Sequence, residues 1–228
     1  MKRSNHLYRA YDNQAERMVA IKVSPNLRQG ANEARVMRSY RTHPNLPKYY
    51  DLIYERNLAH IVMEFVAGVR LNYPKGGPKR SPELAVAISL QILKGLRHLH
   101  DKGILHYDIA HHNILINGDD PKTVKIVDFG GSLRKRRHHH WRSNRAGGTV
   151  NFRPPEQRWA PTTLYANADL YSVARLCYWL MKRSLPKRDE KIVLDDPVLQ
   201  RILRKGMANE PDKRFQSAQQ FMATLERW

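Results

Sequence analysis

The chain has 228 residues, with 40 Lys plus Arg against 21 Asp plus Glu, a formal charge of +19 and an isoelectric point near 10.2. A hydrophobic content of 41% excludes a wholly disordered polar chain, and no apolar run approaches the roughly 20 residues of a membrane span. Cys177 is the single cysteine, so an internal disulfide and a cysteine-based zinc site are excluded; a cytoplasmic protein is the default, and the charge points to a polyanion: nucleic acid, a membrane surface or a phosphate-rich ligand.

The elements follow from the pattern. Val19 to Val23 is rich in β-branched residues and reads as a strand. Gln29 to Arg41 reads as a helix, with Glu33, Met37 and Tyr40 on one face, stopped by His43-Pro44-Asn45. Tyr49 to Glu55 and Ala59 to Val66 read as strands joined at Arg56-Asn57, and 72–80 as a loop or hinge. Ser81-Pro82-Glu83 caps a helix in which Leu84, Ile88, Ile92, Leu96 and Leu99 recur at helical spacing. Ile114 to Ile116 and Thr123 to Val127 read as a hairpin, and Arg134 to Arg145 as a basic loop. Ala166 to Lys182, whose most apolar stretch Tyr171 to Met181 carries Arg175 in its middle, and Gln216 to Leu225 read as helices. Strands with one helix come first and helices dominate afterwards. That is an α+β pattern of a small sheet-rich lobe and a larger helical one.

Three sites carry chemistry. Asp108 and Asn113 stand five residues apart on a tight loop between a helix and a strand, where one can accept a proton from an attacking hydroxyl and the other can hold a metal ion. Asp128-Phe129-Gly130 follows a second strand and offers another carboxylate to a cation. Lys22 on a strand and Glu33 on the next helix can meet as an ion pair that aims the lysine at phosphate.

Here the sequence resembles the protein kinase family, in its bacterial Hanks-type Ser/Thr branch. Val19-Ala20-Ile21-Lys22, Glu33, Met63-Glu64-Phe65-Val66, His106-Tyr107-Asp108 with Asn113, and Asp128-Phe129-Gly130 stand in the family's order. So do Gly148-Thr149, Pro154-Pro155-Glu156-Gln157, Asp169-Leu170-Tyr171-Ser172 and the stretch from Glu210 to Ala218. The resemblance implies a two-lobed kinase-like fold, with residues 1–66 as the N-lobe and 67–228 as the C-lobe. It implies transfer of the γ-phosphoryl of ATP, with Mg2+ or Mn2+, to Ser/Thr hydroxyls of a protein.

The same resemblance assigns roles. Asp108 orients and deprotonates the hydroxyl, and Thr149 touches it. Asn113 and Asp128 hold the metal. Lys22, held by Glu33, meets the α- and β-phosphates. Leu7, Ala20 and Leu115 sandwich the adenine, whose edge bonds to the main chain of Glu64 and Val66. His106 and Phe129 pack with Met37 and Tyr49 as an internal spine. Glu156 pairs with Arg214, and Asp169 holds the catalytic loop from below.

The sequence also departs from the family. Leu7-Tyr8-Arg9-Ala10 aligns with the strand after the Gly-rich loop, so the third glycine falls on Asn5 and the second on Lys2. Ala110 replaces the catalytic-loop lysine, and His112 takes the place where tyrosine kinases often carry an arginine. Tyr107 replaces the arginine that binds a phosphorylated activation segment. The expectation is slow transfer that does not depend on activation-segment phosphorylation. Ser143 is a candidate phosphosite, and the run His138-His139-His140 reads as a solvated loop rather than a metal site.

The alternatives are a pseudokinase scaffold, a small-molecule kinase of the aminoglycoside phosphotransferase type, and nucleic-acid binding through charge alone. An acidic protein substrate is the partner that the basic surface suggests first.

Overall fold

In the computed structural model, residues 6–72, 77–135, 141–144, 146–159, 162–187 and 190–228 are described. Residues 1–5, on which the second and third glycine positions fall, and 136–140, which hold the triple histidine, lie outside them.

The first lobe is a four-stranded antiparallel sheet with one helix on its face. Its strands are β1 (His6–Asp12), β2 (Arg17–Ser24), β3 (Tyr49–Glu55) and β4 (Leu58–Glu64), in the spatial order β1-β2-β4-β3. β1 and β2 form a hairpin in which Leu7 faces Lys22 and Arg9 faces Ala20. Helix α1 (Leu27–Tyr40) starts at Asn26, whose side chain accepts from the Gln29 N–H, and buries Glu33, Ala34, Val36, Met37 and Tyr40. Gly30 lets it lie against β4: a Cβ there would stand 2.6 Å from the Ala59 Cβ. Strand β4 ends at Glu64, two residues before the sequence pattern suggests.

The second lobe is built on helices. β5 (Val69–Arg70) leads to α2 (Pro82–Asp101), capped by Ser81 through a bond from the Leu84 N–H, with proline in the first turn. β6 (Ile104–Leu105) precedes the loop that carries Asp108. β7 (Ile114–Ile116) and β8 (Lys125–Ile126) form the expected hairpin. Thr123 belongs instead to a 3-10 turn over Pro121–Thr123, started by Asp120, so the second strand is shorter than predicted.

The stretch read as a basic loop contains strands. β9 (Leu133–Arg134) pairs with β6, and β10 (Trp141–Ser143) pairs with β11 (Thr162–Leu164). What the loop reading missed is an apolar anchor: Leu105, Tyr107, Trp141, Leu164 and Ala168 form their own buried cluster. Helix α3 (Asn167–Lys182) is almost wholly buried, and Cys177 sits in it at 0% exposure as a small core residue, its thiol pushed up to about 11 by burial. α4 (Pro197–Gly206), not foreseen, and α5 (Ala218–Leu225) close the lobe around Leu199, Leu203, Phe215 and Phe221. Among the described residues no helix is long and apolar enough to cross a membrane.

Candidate active site

Between the lobes lies a cleft of about 250 Å3. It is lined from the sheet side by Leu7, Ala20, Lys22, Met63, Glu64 and Val66, and from the helical side by His112, Asn113, Leu115 and Asp128. All six residues assigned to the nucleotide therefore line one cavity. Ala20 and Lys22 alternate on β2, so their side chains share a face. Leu115 sits on β7 opposite them. Sequence reasoning missed Pro47, Arg70 and Val127, which also line it; no motif marks them, because the fold alone brings them there. The side chain of Glu64 points away to Lys125, at 3.0 Å, and to the Lys48 N–H, which leaves main-chain groups as its offer to a ligand.

Lys22 is the hub of the charged end. Its Nζ lies 2.7 Å from Glu33 Oε1 and 2.7 Å from Asp128 Oδ1. Burial opposes the ammonium, but the two carboxylates outweigh it and raise its pKa above the usual lysine range. Burial raises Glu33, with Lys22 pulling the other way. For Asp128, Lys22 outweighs burial and lowers the carboxyl. Glu33 also accepts the Phe129 N–H at 3.2 Å, so one carboxylate fixes both the lysine and the start of the Asp128-Phe129-Gly130 turn. Asp128 itself holds φ at 69°, a conformation that costs a non-glycine residue about 1–2 kcal/mol and is sustained here by its bonds.

Asp108 is held from three sides. Its Oδ1 accepts from Thr149 Oγ1 at 2.6 Å and from the Thr149 N–H at 2.8 Å. Its Oδ2 accepts from Asn113 Nδ2 at 3.1 Å, and His112 Nε2 lies 3.9 Å from the same oxygen. Burial alone would raise this carboxyl; His112 and Thr149 outweigh it and hold it well below the usual carboxylate range. Because Asn113 spends its amide nitrogen on Asp108, its carbonyl oxygen is the atom it offers to a cation. Asn113 Oδ1 and the half-exposed Asp128 carboxylate are hard oxygen donors that suit Mg2+, which takes few protein ligands and keeps its waters and phosphates. Among the described residues no group of three or more His, Cys, Asp or Glu is placed to hold a metal by itself.

The loop rests on α3. Asp169 Oδ2 accepts the His106 N–H and a bond from His100 Nε2, both at 2.9 Å, and Oδ1 accepts the Tyr107 N–H at 2.9 Å. His106 is buried, bonds Val127 O through Nε2 at 3.2 Å, and packs edge-on against Phe129 with centroids 5.2 Å apart. The ring next to Phe129 is Tyr40, at 5.1 Å, and Tyr49 packs against the same core, which also holds Met37. Tyr49 lies on a strand at the edge of the core, while Tyr40 completes the buried face of α1.

Tyr107 fills the place of the expected arginine with an aromatic plug. Its φ is 75°, its hydroxyl donates to Ser143 Oγ at 3.1 Å, and Gln157 Nε2 donates to its carbonyl. A side chain on Gly147 would collide with its ring. Ser143 is thereby buried at 5% exposure, which argues against the phosphosite reading in this conformation. Glu156 and Arg214 form a two-pronged pair at 2.7 and 2.9 Å.

Over residues 4–227 the chain matches the protein kinase domain. It is 28% identical to the serine/threonine-protein kinase PrkC of Bacillus subtilis over 97% of this chain and 38% of that protein. It is 29% identical to the serine/threonine-protein kinase PknG of Mycolicibacterium smegmatis, over 81% of this chain and 25% of that protein. A probable serine/threonine-protein kinase of Streptomyces coelicolor, SCO3848, is 28% identical over 96% of this chain and 37% of its own length. The chain thus spans well under half of each of these relatives.

Proposed function

This chain belongs to the protein kinase family, and on that premise we propose that it transfers the γ-phosphoryl of ATP to Ser or Thr hydroxyls of protein substrates. The observation that carries the reading is the single cleft in which Lys22 is gripped by Glu33 and Asp128 while Asp108, one loop away, is held by Thr149 and Asn113. Residues 1–66 and 67–228 act as the two lobes that enclose the nucleotide.

Leu7, Ala20 and Leu115 close on the adenine, and the main chain of Glu64 and Val66 reads its edge. Lys22 neutralises the α- and β-phosphates. Asn113 and Asp128 would hold Mg2+ or Mn2+, which supplies positive charge at the phosphate oxygens. Asp108 orients the incoming hydroxyl and accepts its proton, and its depressed pKa keeps it ionised throughout the neutral range. Thr149 fixes the carboxylate that does this. His112, lining the cleft beside Asp108, is the side chain positioned to donate to the transferring group where Ala110 offers none. One ring N–H stands in for the three donors of a lysine ammonium, so transfer is slow.

Tyr107 anchors the segment between Asp128 and Glu156 through Ser143 and the Trp141 cluster, so the arrangement does not call for a phosphate on that segment. The setting is cytoplasmic, and the preferred protein substrates are acidic, given the +19 charge.

Labelled ATP, Mg2+ or Mn2+ and a panel of acidic and basic proteins test the reading. Transfer is expected with wild type, with and without phosphatase pretreatment, and is lost in Asp108→Asn. A thermal shift with MgATP but no transfer would leave a nucleotide-binding pseudokinase instead.

A further inference from the structure

Arg175 is the one charge in the apolar run of α3, and phosphoryl transfer makes no use of it. It is buried at 7% exposure. Its Nε donates to Asn151 O at 2.5 Å and its Nη2 to Pro186 O at 2.9 Å. Carbonyl oxygens orient a guanidinium without neutralising it. None of the ion pairs among the described residues includes Arg175. A buried cation without a counter-charge is costly, and such groups ordinarily have a partner.

Beside it opens a second cavity, of about 150 Å3, where among the described residues Arg175, Lys187, Lys191 and Arg204 bring four cations and Glu190 one carboxylate. Glu190 turns back on its own loop, where Oε2 accepts the Lys187 N–H at 2.9 Å. Pro186, Ile192 and Met207 form an apolar wall. The space is smaller than the cleft assigned to the nucleotide, so it suits one oxyanion on an aliphatic stem.

We infer that this cavity is a docking site for an oxyanion carried by a peptide, the carboxylate of an acidic residue or the phosphate of a phosphoserine, on the protein that is phosphorylated. The inference rests on the protein-kinase reading for the identity of that peptide, and on the geometry for the site. Asn151, which Arg175 holds, is two residues past Thr149, which bonds Asp108. Two residues span about 7 Å at most. Val150 between them is 63% exposed and forms the floor that a peptide would cross. A peptide whose hydroxyl lies at Asp108 thus reaches the cavity with an acidic residue a few positions away. Its charge compensates Arg175, and through Asn151 it steadies the segment that positions Asp108.

The test measures binding of three peptides to the full chain without ATP. They share one sequence and differ at one position: Glu, phosphoserine or Gln. The acidic peptides are expected to bind about tenfold tighter than the Gln peptide, with the margin shrinking at high salt. The double variant Lys187→Ala/Lys191→Ala, at two exposed positions, is expected to erase that margin. Whichever acidic peptide binds tighter identifies the source of the oxyanion. Arg175→Met should also erase it; if that variant does not fold, the lysine pair decides. Equal binding of all three peptides, or a margin that survives in the lysine variant, overturns the site. So does displacement of the acidic peptide by single-stranded DNA that binds wild type and lysine variant alike, since net charge alone then explains the binding. Absence of phosphoryl transfer would overturn the catalytic reading and leave this binding result standing.

Discussion

Glu33→Gln removes one charge from the Lys22 hub and keeps its shape. Lys22 Nζ sits 2.7 Å from each of two carboxylates, of which Glu33 is sealed and Asp128 is half exposed. Breaking a buried pair outright costs about 3–5 kcal/mol. Asp128 remains as a partner, but its exposure screens it, so it recovers only part of that sum. The net loss is about 2–3 kcal/mol, since one of two contacts survives. The lysine is then left on Asp128 alone and no longer held toward the phosphates. The cost therefore appears in transfer, as a fall of about 30- to 150-fold in kcat/KM. Initial rates and the thermal shift induced by MgATP read the two halves of the effect. The shift should shrink with the rate, and the ligand-free Tm should fall by several degrees too, since the broken pair is buried before any ligand binds. A fall of less than threefold with an unchanged MgATP shift would refute the idea that Glu33 aims Lys22.

Two further predictions concern the helical lobe and the response to pH. Glu156→Ala leaves the Arg214 side chain, 0% exposed, without its carboxylate. The expected loss is about 3–5 kcal/mol, or roughly 6–20 °C in Tm for a chain of this size, and a change under 2 °C by calorimetry would contradict it. His43 and His111 are each lowered to about 4, first by burial and then by His98 and His112 respectively, so both are neutral in the folded protein at pH 7. The unfolded chain takes up these protons below about pH 6.5, so the stabilisation holds above that value and fades as pH falls toward 4. The double variant His43→Asn/His111→Asn should flatten the slope of Tm between pH 7 and 5.

Much of the fold was legible where periodicity or capping chemistry is strong. Ser81-Pro82 announced α2, and the β-branched run announced β2. The charged centre was legible through residue identity alone, since Lys22, Glu33, Asp108, Asn113 and Asp128 each stand in a motif. The short strands were not. β9 is two residues, Leu133–Arg134, and its partner Ile104–Leu105 lies nearly thirty positions earlier. Two residues carry no period, and their register comes from the tertiary fold. The basic residues around them masked Trp141, whose burial decides the segment's course. For α4 the signal was present: Asp196 caps it by accepting the Leu199 N–H, Pro197 follows, and Leu199, Ile202 and Leu203 share a face. Tyr40 illustrates the remaining limit, because its place on the buried face of α1 was readable while its ring contact with Phe129 comes from packing alone.

Asp169 has a consequence for how the protein comes apart. One carboxylate in the most buried helix takes the amides of His106 and Tyr107 and the ring of His100. The loop that carries Asp108 is therefore a part of the helical core and not a flap laid upon it. Its amides should exchange with solvent only through the large openings that expose α3, at rates close to those of the helix interior. Heat should then abolish catalysis and helical structure in one transition, with no warm, folded, inactive state in between.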